Sequence, residues 1–278
     1  MNCDPDLTFA LADQLRGESR ARLIALDMVL REPKHWWKRP LLWRKRLLLR
    51  RVDHFLNYFR DVSALERVYG IEEGRCSYIP FKANLPAPKE AVRVGEGSYV
   101  LALGRSLRDF DTYFDALERV PAEAGLRAAI AEPDMAALRE HGARFTRSLE
   151  QLPANLERLA DNGGVEAQIR MISGAAAVVL PIVRGSLVAS GISTCLNAML
   201  YGKCVIASAG PGVSDIFSDE LVVVPPEDPA ALARALERVW LDHRYRQAVA
   251  ARGHALARNW GGEVDLYQRV VDRVGELY

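Results

Sequence analysis

Apolar and polar positions along this chain switch between two periods. Short apolar runs bounded by glycine, proline or charge read as buried strands. They fall at residues 22–27 (RLIALD), 52–59 (VDHFLNYF), 76–81 (CSYIPF), 98–104 (SYVLALG), 126–132 (LRAAIAE), 175–182 (AAAVVLPI), 203–208 (KCVIAS) and 221–225 (LVVVP). Elsewhere apolar residues recur every three or four positions. That spacing predicts helices over 8–16, from about Leu41, and over 63–70, 111–120, 164–173, 191–201 and 213–217. Asp228-Pro229 opens another, with proline at its first position, and helices over 243–258 and 263–277 finish the chain. Residues 134–160 carry weaker patterns, read as short helices and strands. Strands alternating with helices predict parallel α/β sheets, with the doubly wound pattern nearly complete in the second half and only about three strands in the first. Residues 82–97, rich in proline, glycine and charge, are the best boundary between the two.

Composition narrows the class. At 278 residues, 49% hydrophobic and 26% charged, the chain is globular and long enough to bury a sizeable core. A net charge of +1 supplies no global field toward nucleic acid. The four cysteines form no CxxC and no metal-ligand spacing with the five histidines, so a reduced, cytosolic setting and no metal are expected. No apolar run approaches 18 residues, and MNCDPDLTF has acids where a signal peptide needs a basic segment.

The charge is unevenly placed. Residues 31–51 (REPKHWWKRPLLWRKRLLLRR) carry nine Lys/Arg against one Glu, a local net of +8 that leaves −7 elsewhere. Three of the five tryptophans sit there as well. Cations beside interfacial tryptophan fit an anionic membrane surface, with Trp36, Trp37, Lys38, Arg39, Trp43, Arg44 and Lys45 as contacts. The same pattern also describes a solvated helix face whose Trp and Leu pack on the core. A nucleic-acid patch fits poorly with the acidic remainder.

In an open parallel sheet, ligands bind beyond the carboxyl ends of the strands. Two stretches there have suitable chemistry. Gly104-Arg105-Ser106-Leu107-Arg108-Asp109 ends a strand in glycine and offers two guanidinium forks, which suit phosphate oxygens. The alternative is a loop whose arginines pair with Asp109 and Asp111. The second stretch, SGIST, opens helix 191–201 with Ser190 or Gly191 at the N-cap and Ser193 and Thr194 in its first turn. Free N–H groups there attract an anion, although an ordinary serine cap has the same residues. Asn197 is placed to point toward a ligand. Together the two stretches suit one diphosphate. Asp27 ends a strand and reads either as a cleft residue or as a cap. His54 and His141 read as structural or surface groups, and Trp240, Tyr245, Trp260 and Tyr267 as packing.

The sequence at this point resembles the retaining glycosyltransferases of family 4 (glycosyl transferases group 1), whose fold is GT-B. VLALGRSLRDFDTYFDALERV resembles their strand–GR–helix opening of the donor domain. LNAMLYGKCVI, GVSDI and PEDPAALARAL follow the family's order of motifs, and the likeness is strongest over 98–252. It implies a nucleotide-diphosphate-sugar held by the second lobe and a sugar transferred to an acceptor in the interdomain cleft. Arg105 falls at a diphosphate-binding arginine. The family's lysine aligns with Phe110, and Arg108 may substitute. Residues 191–194 fall at the glycine-rich turn that meets the donor phosphates. The family's two glutamates, for sugar and ribose, are replaced here by Ala189 and Asn197.

The resulting expectation is a GT-B-like α/β chain of three parts. Residues 1–92 form a partial N-terminal, acceptor-side, Rossmann-like lobe and 93–258 a complete donor lobe. Residues 259–278 form a helix packing back on the first lobe. The function expected is hexosyl transfer from a nucleotide-sugar to a glycan or lipid-linked acceptor, in polysaccharide or glycolipid assembly. Gly104, Arg105, Arg108, Ser190, Gly191, Ser193, Thr194 and Asn197 are expected at the donor, with no cofactor or metal and no nameable general base. The setting is cytoplasmic, peripheral at the inner membrane face through residues 31–51. The short first lobe leaves room for a completing subunit. The alternative is a non-catalytic donor-lobe protein or a fragment of a larger transferase.

Overall fold

A computed structural model describes residues 5–14, 22–30 and 39–277. Two parallel sheets organise them. The first has three strands, β1 (Ile24–Leu26), β2 (His54–Asn57) and β3 (Cys76–Tyr78), in the order β1-β2-β3. Helix α1 (Pro5–Gln14) precedes β1, and α2 (Arg39–Leu49) and α3 (Ser63–Tyr69) flank β2 in sequence. Phe55 on β2 and Phe59 just after it share a buried cluster with Leu49, Leu65 and Ile71, so this small sheet has a core of its own.

The second sheet has six strands. In chain order they are β4 (Tyr99–Ala102), β5 (Ala128–Ala131), β6 (Leu156–Leu159), β7 (Ala175–Leu180), β8 (Cys204–Ser208) and β9 (Val222–Val224). The spatial order is β6-β5-β4-β7-β8-β9, and every pairing is parallel. Strands β4, β7 and β8 are buried on both faces, and VLA, AAAVVL and CVIA are apolar throughout for that reason. Helices α4 (Phe110–Leu117), α5 (Met135–Glu140), α6 (Val165–Gly174), α7 (Ile192–Leu200), α8 (Pro229–Leu241) and α9 (His243–Arg258) cover the two faces. Side-chain caps fix several of their starts. Asp109 accepts from Thr112 N–H, Asp134 from Ala136 and Ala137, Asp228 from Ala231, and Asp242 from Tyr245.

The last helix, α10 (Glu263–Leu277), lies against the first sheet. Arg269 donates to the Pro80 carbonyl at 3.1 Å, and Trp260, just before α10, donates its indole N–H to Phe81 O at 2.6 Å. Residues 213–217, read from sequence as a helix, form turns instead. The Gly210-Pro211-Gly212 start explains this. Gly212 is left-handed (φ 81°), and the Asp215 side chain, not a helix ladder, takes the Gly212 N–H at 2.6 Å.

Candidate functional site

In the six-stranded sheet the strand order reverses between β4 and β7, and the crevice beyond their carboxyl ends is where such sheets bind ligands. A cavity of about 400 Å³ lies there. Two loops build its floor. The loop after β4 is zipped to the segment after β7 by Asp109 N–H to Pro181 O (2.8 Å) and Val183 N–H to Leu107 O (3.0 Å).

Arg108 sits in that zipper, 2% exposed. Its guanidinium folds back under the loop. Nε donates to Leu103 O at 2.9 Å, and Nη1 donates to Ser106 O at 2.7 Å and Ser190 Oγ at 3.0 Å. All these acceptors are neutral, and among the described residues no carboxylate pairs with the cation. Burial pushes its pKa down to about 10, so the charge persists at neutral pH. The neighbouring Cys195 thiol, pushed up to about 12 by burial, supplies no negative charge. The guanidinium under the cavity floor is therefore a charge without a paired carboxylate, while Glu132, Asp134 and Asp161 stand elsewhere in the cavity lining.

Two glycines make that placement feasible. Gly104 (φ 104°) and Gly191 (φ 94°) are both left-handed, and both lie against Arg108 Nη2. A Cβ at Gly104 would stand 2.5 Å from Nη2, and one at Gly191 2.8 Å. The small residues opening α7 thus admit a guanidinium as well as exposing the helix end. Gly191 is the N-cap and has no side-chain cap; the Ser190 hydroxyl goes to Arg108 and to Ser106 O instead. The first-turn N–H groups of α7 therefore lack a side-chain acceptor. Ser193 and Thr194 line the cavity beside them.

Arg105 stands on the rim, half exposed, 3.8 Å from Asp161. Ile130, Leu138, Phe110 and Phe145 give the cavity apolar lining, and His141 and Asp134 line it too. Sequence reading did not place these residues at the site; it read His141 as a structural or surface group and met Phe110 only as the position aligned with the family's lysine. The strand-end rule that located loops 104–109 and 190–194 also points to residues 131–134 after β5, but that segment has no motif to draw attention to it.

The structure brings Gly104, Arg105, Arg108, Gly191, Ser193, Thr194 and Asn197 around one cavity, with Ser190 bonded into its floor. Asn197 differs from its expected use. It is buried, and its Oδ1 accepts from Asn84 N–H (2.8 Å) and Leu85 N–H (3.0 Å), tying α7 to the segment that joins the two sheets. The oxygen expected to face a ribose hydroxyl is committed to the backbone.

The two lobes are also joined away from the cavity lining. Asp215 Oδ2 accepts from Arg60 N–H at 2.7 Å and Asp61 N–H at 2.9 Å, a contact across the two lobes. Of the basic tryptophan stretch, Trp36, Trp37, Lys38 and the Arg39 side chain lie outside the described residues. Trp43 is 65% exposed on α2, with Leu41 and Leu47 also exposed and Arg44 and Lys45 beside it. Among the described residues no helix is long and apolar enough to cross a membrane.

Residues 152–255 match the family model described as glycosyl transferases group 1. A search of curated proteins finds no significant match. Several solved structures share the fold. HepE of Anabaena, solved with UDP and glucose, superposes with a TM-score of 0.72 at 15% identity, covering 98% of this chain and 76% of that one. Sucrose-phosphate synthase of Thermosynechococcus elongatus gives 0.67 at 18% identity, covering 99% and 72%. WaaG, described as a glycosyltransferase involved in lipopolysaccharide biosynthesis, gives 0.59 at 13% identity, covering 90% and 76%.

Proposed function

We propose that this chain, which has the GT-B fold and whose residues 152–255 match the glycosyl transferases group 1 model, transfers a hexosyl group from a nucleotide-diphosphate-sugar to a glycan or lipid-linked acceptor. One observation carries the reading. Arg108 is a buried cation with neutral partners only, set beside the uncapped N-terminus of α7 at the switch point of a parallel sheet. A buried charge without a counter-ion is costly, and a diphosphate is the anion that fits there. HepE, which shares the fold, was solved with UDP, with UDP-glucose and with UDP and glucose.

The residues take these roles. The diphosphate lies between the N–H groups of residues 192–194 and the Arg108 Nη2, with Arg105 closing over it from the rim. Gly104 and Gly191 let the phosphates approach the backbone. The apolar lining formed by Ile130, Leu138 and Phe145 takes the base. As the sugar departs, negative charge grows on the diphosphate, and preorganised donors there lower the barrier. No metal or other cofactor enters this scheme.

The acceptor is taken as lipid-linked on the strength of α2. Trp43 and Leu47, four residues apart and both exposed, lie on one side of α2 with Arg44 next to them, a face suited to an anionic bilayer at the cytoplasmic side, while Lys45 turns to the Phe9 ring. WaaG's role in lipopolysaccharide assembly agrees with an acceptor of that kind. A second reading, a non-catalytic nucleotide-binding protein or one needing a completing subunit, is favoured by one observation. Ala189 and Asn197 stand where carboxylates are expected, and Asn197 serves the joint between the lobes.

The test is release of free nucleotide from a panel of radiolabelled UDP-, GDP- and ADP-sugars, with and without anionic vesicles carrying extracted glycolipid. Release or transfer from one donor supports the enzyme. Binding without any release supports the second reading.

A further inference from the structure

The seam between the lobes holds polar groups that the donor cavity does not use. Asp27 follows β1 directly, in left-handed backbone (φ 46°), where a residue other than glycine is uncommon. Its N–H bonds Leu56 O at 2.7 Å, but its carboxyl is buried with no hydrogen-bond or ion-pair partner among the described residues. Tyr58 follows β2, the neighbouring strand, and its hydroxyl is buried and unpartnered too. Burial pushes the Asp27 carboxyl up to about 7. The Tyr58 phenol is raised by burial first and by the Asp27 charge next, so the two groups sense each other. Buried polar atoms are nearly always paired. A buried acid whose carboxyl makes no hydrogen bond to another described residue, and an orphaned hydroxyl at the adjacent strand end, read as a place left for a ligand atom.

Their position agrees. Met28 and Leu30, just after Asp27, share one apolar cluster with Leu187 and Val188 of the second lobe, and Ala189 packs against it. Ser190 and Gly191 come next in the chain and build the donor cavity.

We propose that Asp27 and Tyr58 form a hydroxyl-binding subsite for a sugar held in the seam, the sugar hydroxyl donating to the Asp27 carboxylate and accepting from the Tyr58 hydroxyl. The inference rests on the glycosyltransferase reading above. The sugar is either the glycosyl group of the donor or the acceptor.

The test compares the whole protein with Asp27→Asn and Tyr58→Phe by calorimetric titration. The probes are UDP, GDP, then UDP-glucose, UDP-galactose and GDP-mannose, and last free glucose added to the nucleotide complex. Melting temperatures of both variants should equal or exceed that of the parent, because Asp27→Asn removes a buried charge and Tyr58→Phe removes an unpaired hydroxyl. Nucleotide affinity should stay within about twofold. A roughly tenfold or greater loss of sugar-nucleotide affinity would place the donor sugar at the subsite, and the same loss for glucose alone would place the acceptor there. Nucleotide binding with both variants matching the parent for every sugar probe would overturn this inference and leave the donor cavity standing. No nucleotide binding by the parent would overturn both. A fall in melting temperature of several degrees in both variants would also overturn it, since it would mean that the two groups are paired within the protein.

Discussion

Replacing Asn197 by alanine separates a structural role from a ligand-binding one. Asn197 Oδ1 takes the N–H groups of Asn84 and Leu85, 113 and 112 residues away, at 2.8 and 3.0 Å. Alanine removes the acceptor and leaves both amides unpaired. A buried donor without a partner costs about 1–3 kcal/mol. The Leu85 bond is buried and the Asn84 bond only partly so, so water can replace the acceptor for one amide better than for the other. The loss should be about 2–4 kcal/mol, from which alanine's better helix propensity returns roughly 0.5 kcal/mol. With a urea slope of about 3 kcal/mol/M, the unfolding midpoint should fall by roughly 0.5–1 M. Asn197→Asp keeps an oxygen acceptor and should recover most of that loss. The reasoning is refuted if Asn197→Ala leaves the midpoint within about 0.2 M while weakening nucleotide binding tenfold, since that pattern belongs to a ribose contact.

Three further outcomes follow from the same structure. Asp27→Asn should change the pH dependence of stability. The folded carboxyl titrates at about 7 against the usual 3.8, so the native state favours the neutral acid, and stability is fully present below pH 3.8 and declines as pH rises toward 7. Between pH 5 and 7 the variant should gain up to about 3 kcal/mol on the parent, read as a widening gap in urea midpoints, and a constant gap would count against the buried carboxyl. Gly191→Ala places a Cβ 2.6 Å from Leu180 Cδ2 and 2.8 Å from Arg108 Nη2 at φ 94°. It should lower stability by about 1–3 kcal/mol and weaken nucleotide binding, and wild-type behaviour on both counts would show that the loop is looser than described. Trp43→Ala combined with Arg44→Gln and Lys45→Gln should reduce sedimentation with anionic vesicles at least tenfold while leaving nucleotide affinity unchanged; equal sedimentation would remove α2 from the membrane account.

Strands and most helices were legible because their signals are local. AAAVVL and KCVIAS are apolar at every position that a doubly covered strand buries, and Asp228-Pro229 marks a helix start by itself. The two loops of the donor cavity were legible because glycine at a strand end and small residues at a helix start are local too. What those residues touch was not legible. Arg108 turns away from solvent to meet Ser190, 82 positions later, and nothing in GRSLRD distinguishes that from a side chain reaching outward. Asn197 is satisfied by a backbone 113 residues away, a pairing that exists only once the lobes are joined. The turn at 213–217 failed for a different reason. Its apolar spacing is helical, but Gly210-Pro211-Gly212 and the Asp215 side chain take the local hydrogen bonds first.

The central claim is that the uncompensated Arg108 and the open end of α7 make an anion site for a nucleoside diphosphate. Calorimetric titration of UDP, GDP and ADP into the parent protein and into Arg105→Ala tests it most directly, because Arg105 is half exposed and its loss leaves the fold intact. The account predicts micromolar binding of one nucleotide, weakened about tenfold or more in the variant. Absence of binding by a folded parent protein for all three nucleotides would contradict it.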